Sequence, residues 1–329
     1  MRLCLPVLVS SLLLVSAGVS RPFGAAVEPR QERAHVRSLR VTILSTMLAD
    51  QGIGEWGFAA LVEADGHRLL FDTGNRPDTV LTNAAELGVE LSGVREVILS
   101  HNHGDHTGGL LTLRRALAER DPGSLAVAHV ARGIFWDRSG GDPGWPGMPA
   151  VKRAYEELGG RVVEHAAPAE LHPGVWLTGP VPRVHPERNW SLRPDARVRS
   201  PEGLVEDDIP ESQSLVIDTD QGLVVVSGCG HAGIVNTLEY ARQVVGATPV
   251  HAALGGFHLF QASDEHVAWT AGKLREMGLR HLVGAHCTGI EAVFQLRQRI
   301  GLSRETAVVG AVGASFSLPG GIDPLALAR

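Results

Sequence analysis

The run SHNHGDHTGG, residues 100–109, places three histidines and an aspartate (His101, His103, Asp105 and His106) within six positions, directly after the apolar EVIL. Neutral imidazole and carboxylate are ligands for zinc, and also for iron or manganese. One histidine in such a place is most often a core or surface residue, but four donors in an H-x-H-x-D-H string make a ligand pattern. Two adjacent divalent ions are expected, with zinc the first choice. The chemistry they support is hydrolysis: a bound water is acidified to a pKa of about 7, giving metal-bound hydroxide, and the group under attack is polarised.

The flanking segments must position these side chains. A strand ending at Ser100 sends His101 and His103 to one side through its two-residue period, and the next turn aims Asp105 and His106 from the start of a helix. Upstream, LRVTILST (39–46), GFAALVEA (57–64) and HRLLFDT (67–73) read as strands, the last two joined at Asp65-Gly66. A helix is predicted over 77–88, strand REVILS over 95–100, and another helix through LLTLRRALAER. Further on, SQSLVIDT and GLVVVSG form a second hairpin, followed by helix 233–245, strand 249–255, helix 263–277, strand 280–285 and helix 289–300. The strand ends of this second half also carry donors: Cys229 and His231 in SGCGH, His258 in GGFHL and His286 in GAHCTG. Residues 131–211, rich in Trp, Pro and Arg, read as an insertion or lid in which only RVVEH and VWLTG resemble strands. There Trp136, Trp145 and Trp190 offer either an apolar wall or core packing.

A net charge of -6 without a long basic run gives no footprint for nucleic acid and favours a small-molecule partner. Arg2 and the following LCLPVLVSSLLLVSAGVS read as a secretory signal peptide over residues 1–20. Pro6 and the serines leave this run marginal for the roughly 20 apolar residues of a membrane span. Export to the periplasm or medium is expected, with no stable membrane span after cleavage. Residues 21–38 then read as a flexible leader, and 39–329 as the folded domain. Cys229 and Cys287 are the thiols that remain, too few for a disulfide framework; a single bridge or two buried thiols are the alternatives. His129, His165, His172, His185, His251, His266 and His281 lack such surroundings and read as surface or packing residues.

The H-x-H-x-D-H string resembles the hallmark of the metallo-β-lactamase superfamily. LLFDTG (69–74) resembles the aspartate motif that precedes it, which implies that Asp72 orients a ligand histidine. GAHCTG resembles the late strand-end histidine of the second metal, implying that role for His286. Nearly all of residues 39–318 takes part. The runs SGCGHAGIVN, LGGFHL and HCTG bring the chain nearest to the subgroup named for a dihydropterin aminobenzene ribofuranosyl phosphate synthase.

The resemblance implies an α/β fold, the αββα sandwich of two mixed sheets with helices on the outer faces and the metals at one edge. The implied ligands are His101, His103, Asp105, His106 and His286, to which the position of SGCGH adds Cys229 and His231. Asp105 would also steer the nucleophile and His258 protonate the leaving group, unless His258 only stabilises its loop. Cys229 departs from the pattern by standing where a bridging aspartate is expected. It is either a thiolate ligand or a small buried residue in a glycine turn, with Asp207 and Asp208 held in reserve as donors. Cys287 is expected to face away, and Trp56 stands where the subgroup would carry a histidine.

Three functions compete: a metal-dependent hydrolase of an ester, lactone or phosphate; a pterin-linked synthase; and a non-catalytic metal sensor. Export counts against the synthase, whose intermediates are phosphorylated and cytosolic, and the intact ligand string counts against the sensor.

Overall fold

Strand β1 (Leu39–Ser45) runs antiparallel to β2 (Ala59–Ala64), which turns into β3 (His67–Phe71). The two-residue turn between β2 and β3 has Asp65 and Gly66 at φ 46° and 86°, the doubly positive backbone that suits a tight hairpin. After α1 (Thr79–Glu86) come β4 (Glu96–Leu99), the short α2 (Gly104–Thr107), α3 (Leu110–Ala118) and β5 (Val127–Ala131). The middle of the chain holds β6 (Arg138–Ser139), α4 (Met148–Glu157), β7 (Arg161–His165), β8 (Ala169–His172), β9 (Val175–Leu177), β10 (Arg197–Ser200) and β11 (Gly203–Glu206). The second half supplies β12 (Ser214–Thr219), β13 (Gly222–Ser227), α5 (Ile234–Val245), β14 (Val250–Gly255) and α6 (Asp264–Glu276). It closes with β15 (His281–Gly284), α7 (Ile290–Ile300), β16 (Ala307–Val309), β17 (Ser315–Leu318) and β18 (Gly321–Asp323). This computed structural model describes Met1 and residues 34–139, 147–187, 195–246 and 248–326; the rest of the signal and leader segments to residue 33, with Trp145 and Trp190, lies outside the described residues.

Two sheets form the sandwich, ordered β18-β17-β1-β2-β3-β4-β5-β7 and β16-β15-β14-β13-β12-β9-β8. Ile43, Val62, Phe71 and Ile98 of the first sheet meet Ile217, Val224, Leu254 and Val283 of the second in the central core. Helices α1, α3 and α4 cover the outer face of the first sheet, through residues such as Val80, Leu113 and Tyr155. Helices α5, α6 and α7 cover the second, through Leu238, Leu274 and Leu296. Strands β12, β13 and β14 are therefore buried on both faces, which is why SLVIDT, GLVVVS and VHAALG are nearly continuous apolar runs without alternation. Each fully buried Leu, Ile or Phe in these layers contributes roughly 1.5–3 kcal/mol. The αββα architecture is as expected.

Two boundaries differ from the expectation. Residues 34–38, expected in the leader, belong to the compact unit that begins at Ala34. Val36 is buried in the central core and its N–H donates to the Asp218 carbonyl, while Arg37 and Ser38 donate backbone N–H groups to Asp65. The lid is also smaller than 131–211. Strand β7 extends the first sheet beside β5, and β8 and β9 extend the second beside β12, leaving the small sheet β11-β10-β6 as the inserted part. These edge strands are short and half-exposed, so their patterning is weak. Among the described residues, no helix is long and apolar enough to cross a membrane.

Candidate metal centre

Strands β3 and β4 run parallel to each other, as do β13, β14 and β15, so each group brings its carboxyl ends to one edge. Open α/β sheets place ligands outside such ends. Asp72 follows β3, His101 and His103 follow β4, Cys229 and His231 follow β13, His258 follows β14 and His286 follows β15.

Asp72 is fully buried and anchors the first sheet's contribution. Its Oδ1 accepts the Ser100 N–H at 2.7 Å, and its Oδ2 accepts the Ser100 hydroxyl and pairs with His106 Nδ1, both at 2.7 Å. Ser100 Oγ in turn lies 2.9 Å from His101 Nδ1. Both rings are thus held by Nδ1, which leaves Nε2 to face the site. The last turn of β13 passes so close behind that a Cβ on Gly228 would stand 2.1 Å from Ser100 Oγ and 2.6 Å from Asp72 Oδ2; only glycine fits there.

Two donor sets result. The rings of His101, His103 and His231 surround one point, with centroids 4.6 Å apart for His101–His103 and His101–His231 and 4.9 Å for His103–His231. In the second set, His286 Nε2 lies 3.2 Å from His106 Nε2 and 3.3 Å from Asp105 Oδ2. Cys229 Sγ is 3.0 Å from His106 Nε2 and shares a 4.8 Å donor group with His106 and His286, and another with His101 and His231. It therefore stands between the sets, where the bridging aspartate was expected. Thr46 Oγ1 accepts the His286 N–H at 3.0 Å and fixes that turn.

The electrostatics suit cations. Burial, reinforced by the neighbouring imidazoles, holds His101 well below its ordinary range. Burial likewise lowers His103 to about 4, against the attraction of Asp105. Both are the neutral bases that metal coordination needs. Burial opposes the charge on His106, yet Asp105 and Asp72 outweigh it and raise His106 to about 9. Burial opposes Asp105 too, but His106 and His286 hold its carboxyl far below the usual range. A pocket whose carboxylates keep a buried imidazole charged can hold a divalent cation. His101 Nε2, buried and without a hydrogen-bond partner, fits a ligand atom. Burial pushes the Cys229 thiol well up, so its ionisation would come with a metal.

The seven expected ligands come together, and His258 joins them with its ring 4.6 Å from that of His231. Asp207 and Asp208 do not: Asp207 pairs with Arg138 at 2.9 Å and Asp208 with Arg183 at 3.5 Å. Cys287 does not face away. The short helical turn after Ala285 folds it back, so that its sulfur approaches the Cys229 carbonyl at 3.8 Å and shares a 4.8 Å donor group with Cys229 and His258. Trp56 packs its ring 4.8 Å from that of His286 and 5.5 Å from Phe260, with 44% of its surface exposed. Sequence reasoning missed Ser100, Thr46 and Glu211. The buried Glu211 accepts the Asn102 N–H at 3.2 Å and pairs with Arg138 of β6, tying the inserted sheet to the histidine loop. Only the place of Ser100 at a strand end before the H-x-H string signalled any of these roles.

Residues 57–245 match the family model of the metallo-beta-lactamase superfamily. The 7,8-dihydropterin-6-methyl-4-(beta-D-ribofuranosyl)-aminobenzene-5'-phosphate synthase of Methanocaldococcus jannaschii is 32% identical over 242 residues, 72% of this chain and 82% of that one. Tm1679, a metal-dependent hydrolase of the beta-lactamase superfamily, has a crystal structure that superposes with a TM-score of 0.67 at 25% identity, over 84% of this chain and 98% of that chain. Zn(2+)-bound PqqB from Methylobacterium extorquens shares the fold at a TM-score of 0.50 and 15% identity, over 84% of this chain and 99% of that chain. With its histidine string, strand-end donors and αββα layers, the chain belongs to the metallo-beta-lactamase superfamily.

Proposed function

We propose that this chain is a metal-dependent hydrolase of an ester, lactone or phosphate-type small molecule, exported after removal of its amino-terminal apolar segment. The observation that carries this reading is the pair of donor sets sharing Cys229 at the carboxyl edge of both sheets. His101, His103 and His231 would hold one divalent ion, and Asp105, His106 and His286 the other, with Cys229 between them. The three imidazoles and the thiol favour zinc over harder ions. When bound, such ions supply Lewis acidity and an acidified water at neutral pH.

The residues of the chain do the rest. Asp105, only partly exposed, orients the attacking group through its second oxygen. His258, partly exposed beside His231, gives a proton to the leaving group. Trp56 and Phe260 present apolar faces that border the centre and receive the carbon skeleton of a substrate.

Zinc-loaded protein is tested against phosphodiester, lactone and β-lactam panels, with elemental analysis alongside. Turnover in one panel, lost in Asp105→Asn, is expected; protein that takes up no metal on reconstitution overturns the reading. The 32% identity to the synthase supports a second reading, synthesis of the pterin conjugate that relative is named for. Its formation by this chain, with all three panels inactive, would favour the synthase. Export is tested separately by amino-terminal sequencing of secreted protein: a start between about residue 18 and residue 27 is expected, and an intact Met1 rejects export.

A further inference from the structure

Beside the two histidine sets lies a third donor cluster, which shares Cys229 with them and adds Cys287. The sulfurs of Cys229 and Cys287 and a ring nitrogen of His258 all lie within 4.8 Å of one another. Both thiols are buried, at 3% and 0% exposure. Cys287 is pressed inward against Gly256, where an added Cβ would stand 2.9 Å from its sulfur. Nδ1 of His258 is buried and, among the described residues, has no hydrogen-bond partner, a state that a bound ligand would relieve. His258 also holds a left-handed backbone, φ 49°, a conformation uncommon outside glycine. A ring held in that conformation beside two thiols is placed for a ligand.

We propose that Cys229, His258 and Cys287 form a third metal position, selective for a soft, thiophilic cation of the zinc class, with the sulfur of Cys229 as the corner it shares with the histidine sets. Two thiolates and one imidazole make a donor set that such ions prefer over magnesium, calcium or manganese. Each thiol releases its proton to solvent as its sulfur binds, and no electron is transferred. Cys287 thereby becomes a ligand rather than the packing neighbour of His286. Occupied, this position would bind the ring that the hydrolase reading uses as a proton donor, so the test reads sulfur ligation, which does not depend on turnover.

The test uses the full chain, reduced, kept under nitrogen and loaded with Co2+ as the probe. Sulfur-to-cobalt charge transfer in the near ultraviolet counts thiolates. Cys287→Ser should lower this absorbance per protein to about half that of wild type, and His258→Gln should move the visible ligand-field bands. A charge-transfer band unchanged by Cys287→Ser overturns the proposal. Should that variant fail to fold by circular dichroism, zinc-edge X-ray absorption of the wild-type protein decides. An average of more than one sulfur per zinc at about 2.3 Å supports the position, because Cys229 alone gives each ion at most one, and an average of one or fewer overturns it. A Cys229–Cys287 disulfide found by mass spectrometry in the metal-loaded protein overturns it as well.

Discussion

Two of the histidine clusters among the described residues differ in what their nitrogens face. At the carboxyl edge, Asp72 and Ser100 hold His106 and His101 by Nδ1, and the opposite nitrogens converge on a common space. At the amino end of β4, Glu96 instead closes a network. Its Oε1 pairs with His129 Nε2 at 3.0 Å and its Oε2 with His172 Nε2 at 2.6 Å, while His129 Nδ1 meets His165 Nε2 at 3.0 Å. His67 stacks on His172 at 3.9 Å. The second cluster thus ties β4, β5 and β7 of one sheet to β8 of the other, with its polar atoms spent on each other. Histidine density does not make a metal site; donors left facing a shared point do.

The comparison breaks most sharply at His101. His101→Ala should cost the protein metal and, on the proposed hydrolase reading, its turnover, whereas His129→Ala should leave the metal content unchanged; elemental analysis of both variants would refute the distinction if His129→Ala lost metal. Asp72→Asn should weaken metal affinity about 10–100-fold with the fold intact, since it loosens two ligand rings at once. Competition with a fluorescent chelator measures that loss.

Glu96 sharpens the other side. Its carboxyl is lowered to about 2, first by the hydrogen bond with His129 and then, against partial burial, by that with His172. A native pKa below the ordinary 4.5 means that the unfolded chain binds the proton more readily. The stability from this carboxylate is complete above about pH 4.5 and is lost as pH falls from there through about 2. Glu96→Gln should flatten that acid slope and cost about 1 kcal/mol near neutrality, read from urea midpoints, with metal content untouched. A slope as steep as that of wild type would remove Glu96 from the account. The smallest effect belongs to the exposed His67: His67→Ala should stay within about 0.5 kcal/mol of wild type in the same titration.

The two clusters also differed in legibility. Four donors of the metal centre sit in one loop, and Cys229, His231, His258 and His286 each end an apolar run, so a local pattern points to every one of them. Glu96 is separated from His129 and His172 by 33 and 76 positions, and only strand pairing and sheet packing join them. Cys287 was misjudged for a related reason. A strand's alternation would turn it away from its neighbour His286, but the strand has ended and a 3-10 turn resets the direction. The extent of the insertion was overestimated because β8 and β9, at four and three residues, are too short for a clear period.

Asp72, His258 and His286 all hold left-handed backbones, with φ of 57°, 49° and 47°. Each such residue costs of order 1–3 kcal/mol. At Asp72 and His286 glycine would lose more in buried hydrogen bonds and packing than it relieves in the backbone, so laboratory selection for heat tolerance alone would find its gain at the partly exposed His258. Variants that survive such a selection should melt later and work worse, and a screen that must keep both properties has to look for its improvements in the outer helices.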